Sequence, residues 1–199
     1  MGIYKYIISK RRKLVKAVKD YHCDKFQNAI KTLQALLHEC ETNDDEIACR
    51  YFIAECYRCM RALNRAVEGF NEVISIDMSH HYSYLGLGFA YDSLYRYDDA
   101  ISAFEKATLY KRDLMQAYYG LANTYGKVGE YSSALENALK AHELSPDSRQ
   151  VNELLSVIYG VAGDEENMNK YMKKAIQLGS TKTKLTEAVR YWSERDEEP

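Results

Sequence analysis

Residues 81–114 read HYSYLGLGFAYDSLYRYDDAISAFEKATLYKRDL, and residues 115–148 read MQAYYGLANTYGKVGEYSSALENALKAHELSPDS. The two segments repeat the same residue types, and the repetition continues on both sides of them at the same step. The positions that keep this step are Tyr57, Tyr91, Tyr125 and Tyr159; Ile53, Leu87, Leu121 and Leu155; and Ala66, Ala100 and Ala134, with Met168 at the fourth place. A period of this length indicates a chain of stacked supersecondary units, which together form an extended binding surface.

Each unit contains two segments in which apolar residues recur at helical spacing, with a short turn between them. In the unit that begins at His81, Tyr91 belongs to the first segment and Ala100 to the second. Gly129 and Gly163 fall in the turn of the later units, where a residue free to adopt a positive φ ends the first helix. The pattern therefore predicts pairs of antiparallel helices, called here helix A and helix B.

These residues resemble the tetratricopeptide repeat family over roughly residues 47–180, in units at 47–80, 81–114, 115–148 and 149–180. The family's closing proline is replaced by Arg112 in the second of these units, and its helix B aromatic residue is replaced by Ala138 in the third. A degenerate unit is predicted over residues 10–46, where Phe26 and Ala29 match family positions. Its longer step to the next unit predicts an insertion within residues 41–45.

The resemblance implies an all-α fold, in which one α-solenoid domain spans residues 1–199 as a superhelix of about four to five antiparallel helix pairs. A basic amphipathic helix over residues 1–22, which overlaps the degenerate unit, is expected at the N-terminus. A capping helix over residues 181–195 carries Leu185, Ala188, Val189 and Trp192 on one face, and residues 196–199 are expected to be a frayed tail.

In the resembled family, one face of each helix A lines a concave groove that takes peptide ligands. Carried over to this chain, the groove positions are Tyr51, Glu55, Arg58, Tyr82, Leu85, Phe89, Gln116, Tyr119, Asn123, Lys127, Gln150, Glu153 and Val157. Exposed Tyr and Phe side chains can anchor a partner, and Asn and Gln side chains can bond to a peptide backbone. The alternative for Leu85 and Phe89 is packing between adjacent units.

Catalytic and metal-binding patterns are not found in the sequence, so we predict no enzyme activity, no cofactor and no metal. Cys56 and Cys59 form a single pair, whereas a zinc site needs four ligands, or three and a water molecule. Five cysteines at irregular spacing argue against a disulfide framework and favour a reducing compartment. The expected location is cytoplasmic, with peripheral attachment to a membrane as the alternative.

Residues 1–19 include seven Lys and Arg side chains and no acidic one, which leaves a formal charge of −9 on the rest of a chain whose total is −2. Ile3, Tyr4, Ile7, Ile8, Leu14, Val15 and Val18 recur there at helical intervals. Three interpretations stay open: an N-terminal cap docked on the first repeat, weak binding to an anionic membrane surface, and binding to an acidic partner. Nucleic acid is not expected as a partner because the body of the chain is acidic.

The function predicted from these observations is a non-catalytic scaffold that binds a peptide or helix of a partner protein in its concave groove. One alternative is a structural protein that assembles with itself as a homo-oligomer. Another is a peripheral membrane adaptor that is anchored by the basic N-terminal helix.

Overall fold

A computed structural model describes the backbone of residues 2–194 and the side chains of residues 11–194. Within that range all the regular elements are α-helices, which confirms the predicted all-α class. They are α1 (Gly2–His22), α2 (Phe26–Leu37), α3 (Asn43–Cys59), α4 (Leu63–Ile76), α5 (His81–Ser93), α6 (Tyr97–Tyr110), α7 (Met115–Lys127), α8 (Tyr131–Leu144), α9 (Arg149–Val161), α10 (Glu165–Gln177) and α11 (Lys182–Glu194). The predicted tail at residues 196–199 lies outside the described residues.

The turn that ends each helix A has the same geometry along the chain. One residue in each turn takes a positive φ, and these residues are Asp24, Arg61, Tyr95, Gly129 and Gly163. The amide of the residue that follows donates back across the turn, as Ala62 does to the Tyr57 carbonyl at 2.9 Å and Glu130 to the Tyr125 carbonyl at 2.9 Å. This bond satisfies a carbonyl that the helix end leaves without an intrahelical partner. Five helices A therefore end alike, and only two of the five turns use the glycine that the sequence pattern predicts.

The chain forms two compact units, Met1–Arg96 and Tyr97–Pro199. In the first unit, α1 packs on α2, α2 on α3, α3 on α4, and α4 on α5. In the second unit, α6 packs on α7, α7 on α8, α8 on α9, and α9 on both α10 and α11. The buried side chains are mostly Ala, Leu, Val and Phe, which suits close packing of helices within each unit.

Helix α3 begins at Asn43, four residues before the unit start at Ile47 that the sequence predicts. The hydroxyl of Thr42 accepts a hydrogen bond from the Asp45 amide at 3.2 Å and caps the helix, and Asp44, Asp45 and Glu46 complement its N-terminal dipole. The residues predicted as an insertion therefore supply most of an additional first turn of α3.

Helix α1 is helix A of the first pair, and α2 is its helix B. The predicted N-terminal helix is therefore part of the degenerate repeat. Ala17 is fully buried, and Leu14 packs against the same cluster as Leu33 and Cys49. Val15 is 68% exposed and takes no part in this contact, contrary to its place in the predicted apolar set. The side chains of Ile3, Tyr4, Ile7 and Ile8 lie outside the described residues. Among the described residues, no helix combines the length and the apolar character needed to span a bilayer.

Candidate partner-binding surfaces

The predicted groove residues lie on helices A of both units. In the first unit they are Tyr51, Glu55 and Arg58 on α3, and Tyr82, Leu85 and Phe89 on α5. In the second unit they are Gln116, Tyr119, Asn123 and Lys127 on α7, and Gln150, Glu153 and Val157 on α9. Each unit therefore presents its own candidate surface.

The surface of the first unit contains an aromatic cluster around the start of α5. The ring of Tyr51 lies 5.3 Å from that of His80 and 6.4 Å from that of Tyr82, and Tyr82 is 41% exposed. Burial lowers the pKa of His80, which keeps the ring neutral near pH 7. Its Nδ1 atom accepts a hydrogen bond from the Ser83 amide at 3.3 Å and caps α5. The structure thus brings Tyr51, Tyr82 and the capping His80 into one cluster, with all three ring centroids within 6.4 Å of one another.

Glu55 lies inside the first unit, at 7% exposure. Its carboxylate accepts hydrogen bonds from Tyr21 Oη at 3.1 Å, Arg58 Nε at 3.0 Å and Arg58 Nη2 at 2.8 Å. The hydrogen bond from Arg58 to Glu55 raises the pKa of Arg58, and burial with the nearby carboxylate raises that of Tyr21. These three residues join α1 to α3, so the carboxylate of Glu55 is engaged within the protein.

The surface of the second unit contains an open pocket with a volume of about 270 Å³. Five residues predicted from the sequence as groove positions line it, namely Tyr119, Asn123, Gln150, Glu153 and Val157. The opposite wall comes from α11, through Lys184, Leu185, Ala188 and Trp192. Gln116 lies elsewhere on α7, and Lys127 Nζ lies 5.9 Å from the ring centroid of Tyr97.

Trp192 lies directly on Gly126, which sequence reasoning did not select. A β-carbon placed on Gly126 would lie 2.1 Å from Trp192 Cζ3, so no larger residue fits there without moving the indole. The ring of Tyr131 lies 6.5 Å from that of Trp192. The sequence signal was the glycine that follows the repeated tyrosine in Tyr125-Gly126, a pair that recurs in Tyr159-Gly160.

Cys56 and Cys59 lie in different environments. Cys56 is buried against Ala29 and Ile30, and burial raises the pKa of its thiol to about 12. Cys59 is exposed. No group of three potential metal ligands occurs among the residues that the structure describes. Cys56 therefore acts as a small packing residue in the described part of the chain.

Comparisons with known proteins agree with this architecture. A family model described as a tetratricopeptide repeat matches residues 81–114 and 116–148. No curated protein sequence matches the chain.

Solved structures provide a wider match. The crystal structure of MamA aligns with a TM-score of 0.70 and 23% identity over 84% of this chain and 96% of its own. TTC0263, a thermophilic TPR protein in Thermus thermophilus, aligns with a TM-score of 0.71 and 18% identity over 92% and 98%. MamA from Desulfovibrio magneticus RS-1 aligns with a TM-score of 0.72 and 18% identity over 85% and 94%. At these identities the likeness of the solved structures shows the fold, and the family model identifies residues 81–114 and 116–148 as tetratricopeptide repeats.

Proposed function

We propose that this chain is a non-catalytic scaffold that binds a peptide or helix of a partner protein along its helices A. The observation that carries the proposal is the pocket of the second unit. Tyr119 and Asn123 from α7 and Gln150 and Glu153 from α9 line it together, and the apolar face of a helix already lies against it. A surface that accommodates one amphipathic helix has the shape and chemistry to bind another.

The partner would bury apolar side chains against aromatic residues and bond its backbone to amide side chains. Tyr82 in the first unit and Tyr119 in the second supply large aromatic faces that lose little conformational freedom on binding. Asn123 can both donate and accept hydrogen bonds with a peptide backbone. Tetratricopeptide repeats are in general an interaction fold, which supports this class of function over catalysis.

The test is affinity capture from a lysate of the native source with the full chain as bait. Wild type is compared with Tyr119→Ala/Asn123→Ala, with Tyr82→Ala/Phe89→Ala, and with the control Leu109→Ala. Leu109 is 69% exposed on α6 and lies outside the predicted groove set. We expect each groove variant to keep its helical circular dichroism and to bind the partner about ten-fold or more weakly. A partner that all four baits retain equally well would refute the proposal.

Two alternatives for the same chain are distinguished by other measurements. Assembly of the chain with itself would give a mass that rises with concentration in light scattering. Attachment to a membrane through residues 1–19 would give salt-sensitive binding to anionic vesicles. The packing of Leu14 and Ala17 against α2 and α3 supports the cap interpretation for the described part of α1, and a cytoplasmic location remains part of the proposal.

A further inference from the structure

Two glycines at the same repeat position form a seat for α11 in the second unit. Gly126 on α7 and Gly160 on α9 are one repeat apart. A β-carbon on Gly126 would lie 2.1 Å from Trp192, and one on Gly160 would lie 2.8 Å from Val189. Side chains of α11 therefore occupy the space that a side chain at position 126 or 160 would need. We call this surface, made by Gly126, Gly160 and the pocket beside them, the α11 seat.

Among the described residues of the first unit, the equivalent position offers no such seat. Arg58 on α3 and Asp92 on α5 stand where the second unit has Gly126 and Gly160. Side chains of that size would fill the space that Trp192 and Val189 occupy. Of the four positions compared, glycine thus stands at the two on α7 and α9, the helices against which α11 packs.

One face of α11 carries three of the apolar side chains that contact the seat. Leu185, Val189 and Trp192 are spaced four and three residues apart, which places them on the same side of a helix. Leu185 packs against Met172 and Ala175 of α10. Lys184 Nζ, one residue before Leu185, lies 2.7 Å from the carboxylate of Glu153 on α9. Hydrophobic anchors at this spacing, with an ion pair at one end, are the pattern of a helix bound in a groove.

Helix α11 is held by few fully buried groups. Leu185, at 1% exposure, is its one buried residue, whereas Val189 and Trp192 are only partly buried. The open pocket of about 270 Å³ lies beside these residues, so the seat is not filled completely. A terminal helix with so little buried apolar surface opens at a lower free-energy cost than the core helices.

The connection before α11 is an ordered turn that favours docking within the same chain. Gly179 takes a φ of +95°, and the Ser180 amide donates to the Ala175 carbonyl at 2.9 Å. An exchange of α11 between two copies would have to open this turn, which docking of α11 on its own unit leaves intact.

We propose that the α11 seat is the binding site for an amphipathic helix of a partner protein, and that α11 is a tethered competitor for it. The partner helix carries a tryptophan or a similarly large aromatic residue on Gly126, an aliphatic residue on Gly160 and a cation opposite Glu153. This inference rests on the proposed scaffold function and specifies the ligand class of its second unit. Binding of the partner then requires release of α11. While α11 is docked on the seat, the apparent affinity of the chain for the partner helix is lower.

The probe is a fluorescently labelled peptide of residues 181–194, titrated into three full-length proteins. These are wild type, Trp192→Ala, and Trp192→Ala/Gly126→Leu. We expect Trp192→Ala to bind the peptide about ten-fold or more tightly than wild type, because its own α11 has lost the anchor. Gly126→Leu fills the seat and abolishes that binding. A control peptide that itself carries Trp192→Ala should not bind any of the three proteins.

The single tryptophan of the chain provides a second readout on the unaltered protein. The peptide of residues 181–194 with Trp192→Phe has no tryptophan, so the emission observed comes only from Trp192 of the protein. Its binding should displace α11, expose Trp192 to solvent and shift this emission to longer wavelength in a saturable way. Equal affinity of the labelled peptide for wild type and Trp192→Ala, or binding that persists with Gly126→Leu, would overturn the inference. A dimer that disappears with Trp192→Ala would also overturn it, because a second copy would then be the occupant.

Failure of this inference is distinguishable from failure of the scaffold function. If partner capture depends on Tyr119 and Asn123 while the peptide never binds, the scaffold function stands and the inference fails. If capture is insensitive to every groove variant, the scaffold function fails whatever the peptide does.

Discussion

The ring of Phe104 on α6 fills the space in which a side chain on Gly120 of α7 would stand. A β-carbon on Gly120 would lie 2.5 Å from Phe104 Cζ, well inside van der Waals contact. The same pair recurs one repeat earlier, where Phe70 lies against Gly86. One repeat later the sizes are exchanged, with Ala138 on α8 and Leu154 on α9 buried in one cluster. The missing aromatic residue at position 138 is thus matched by a larger residue on the next helix.

We expect Gly120→Ala to destabilise the protein by about 1–3 kcal/mol, measured by urea unfolding. The new methyl group would collide with a ring that is itself fully buried. The gain in helix propensity, roughly 1 kcal/mol, is too small to reverse the sign.

The matched test of that cause is the double variant Gly120→Ala/Phe104→Leu. Phe104→Leu loses packing because Leu is smaller than Phe. In the double variant this loss should be partly offset, because the smaller side chain leaves room for the methyl group of Ala at position 120. The two effects should therefore sum to more than the double variant shows, with a coupling of about 0.5 kcal/mol or more. Strict additivity would contradict a direct clash between the two residues.

Arg61→Gly should stabilise the first unit. Arg61 has a φ of 63°, a conformation that costs an L-residue roughly 1–2 kcal/mol and costs glycine almost nothing. Its contact with Ser93, at 3.4 Å and exposed to solvent, contributes little. Glycine also makes the unfolded chain more flexible, so we expect a net gain below about 1 kcal/mol and a rise in Tm of about 2–4 °C at most.

The control for this prediction is Gly129→Ala, at the same position of a later turn. Gly129 has a φ of 81°, so alanine there should lower Tm, in the direction opposite to Arg61→Gly. Shifts of the same sign in both variants would show that the backbone conformation of the turn is not the cause.

Glu55→Ala should destabilise the first unit by about 1–3 kcal/mol in urea unfolding, because it leaves Tyr21 and the partly buried Arg58 without their acceptor. The control is Glu72→Ala, which removes an ion pair to Arg50 from a side chain that is 56% exposed. Such surface pairs typically contribute less than about 1 kcal/mol. Equal losses in the two variants would argue that Glu55 has no special structural role.

Cysteine labelling should separate the thiols by burial. Burial raises the pKa of Cys49 and of Cys56 to about 12, so both remain protonated at pH 8 and shielded from a thiol reagent. Cys23 and Cys59 are exposed. We expect mass spectrometry to find a maleimide on Cys23 and Cys59 within minutes, and on Cys49 and Cys56 only after unfolding. Rapid native labelling of Cys56 would contradict its packing role.

The sequence alone determined the features that recur within one repeat. The regular step from Tyr57 to Tyr91, Tyr125 and Tyr159 predicts the helix pairs, the turns between them and the family, because each unit repeats the same local contacts. Gly129 and Gly163 marked two turns correctly, but Asp24, Arg61 and Tyr95 adopt the same backbone without the residue type that would have indicated it. In all three turns the next residue's amide donates back to the end of the preceding helix, as it does in the glycine turns.

The tertiary structure decided which residues meet across the chain. Glu55 has a groove position in the repeat pattern, yet Tyr21 and Arg58 engage it in the interior. Trp192 was predicted on the apolar face of a capping helix, but nothing in the periodicity showed that Gly126 receives it. Periodicity reports the face of a helix on which a residue lies, whereas the neighbour on that face depends on how distant segments pack. The α11 seat is therefore visible only in the folded chain, because it joins residues from three helices that are far apart in sequence.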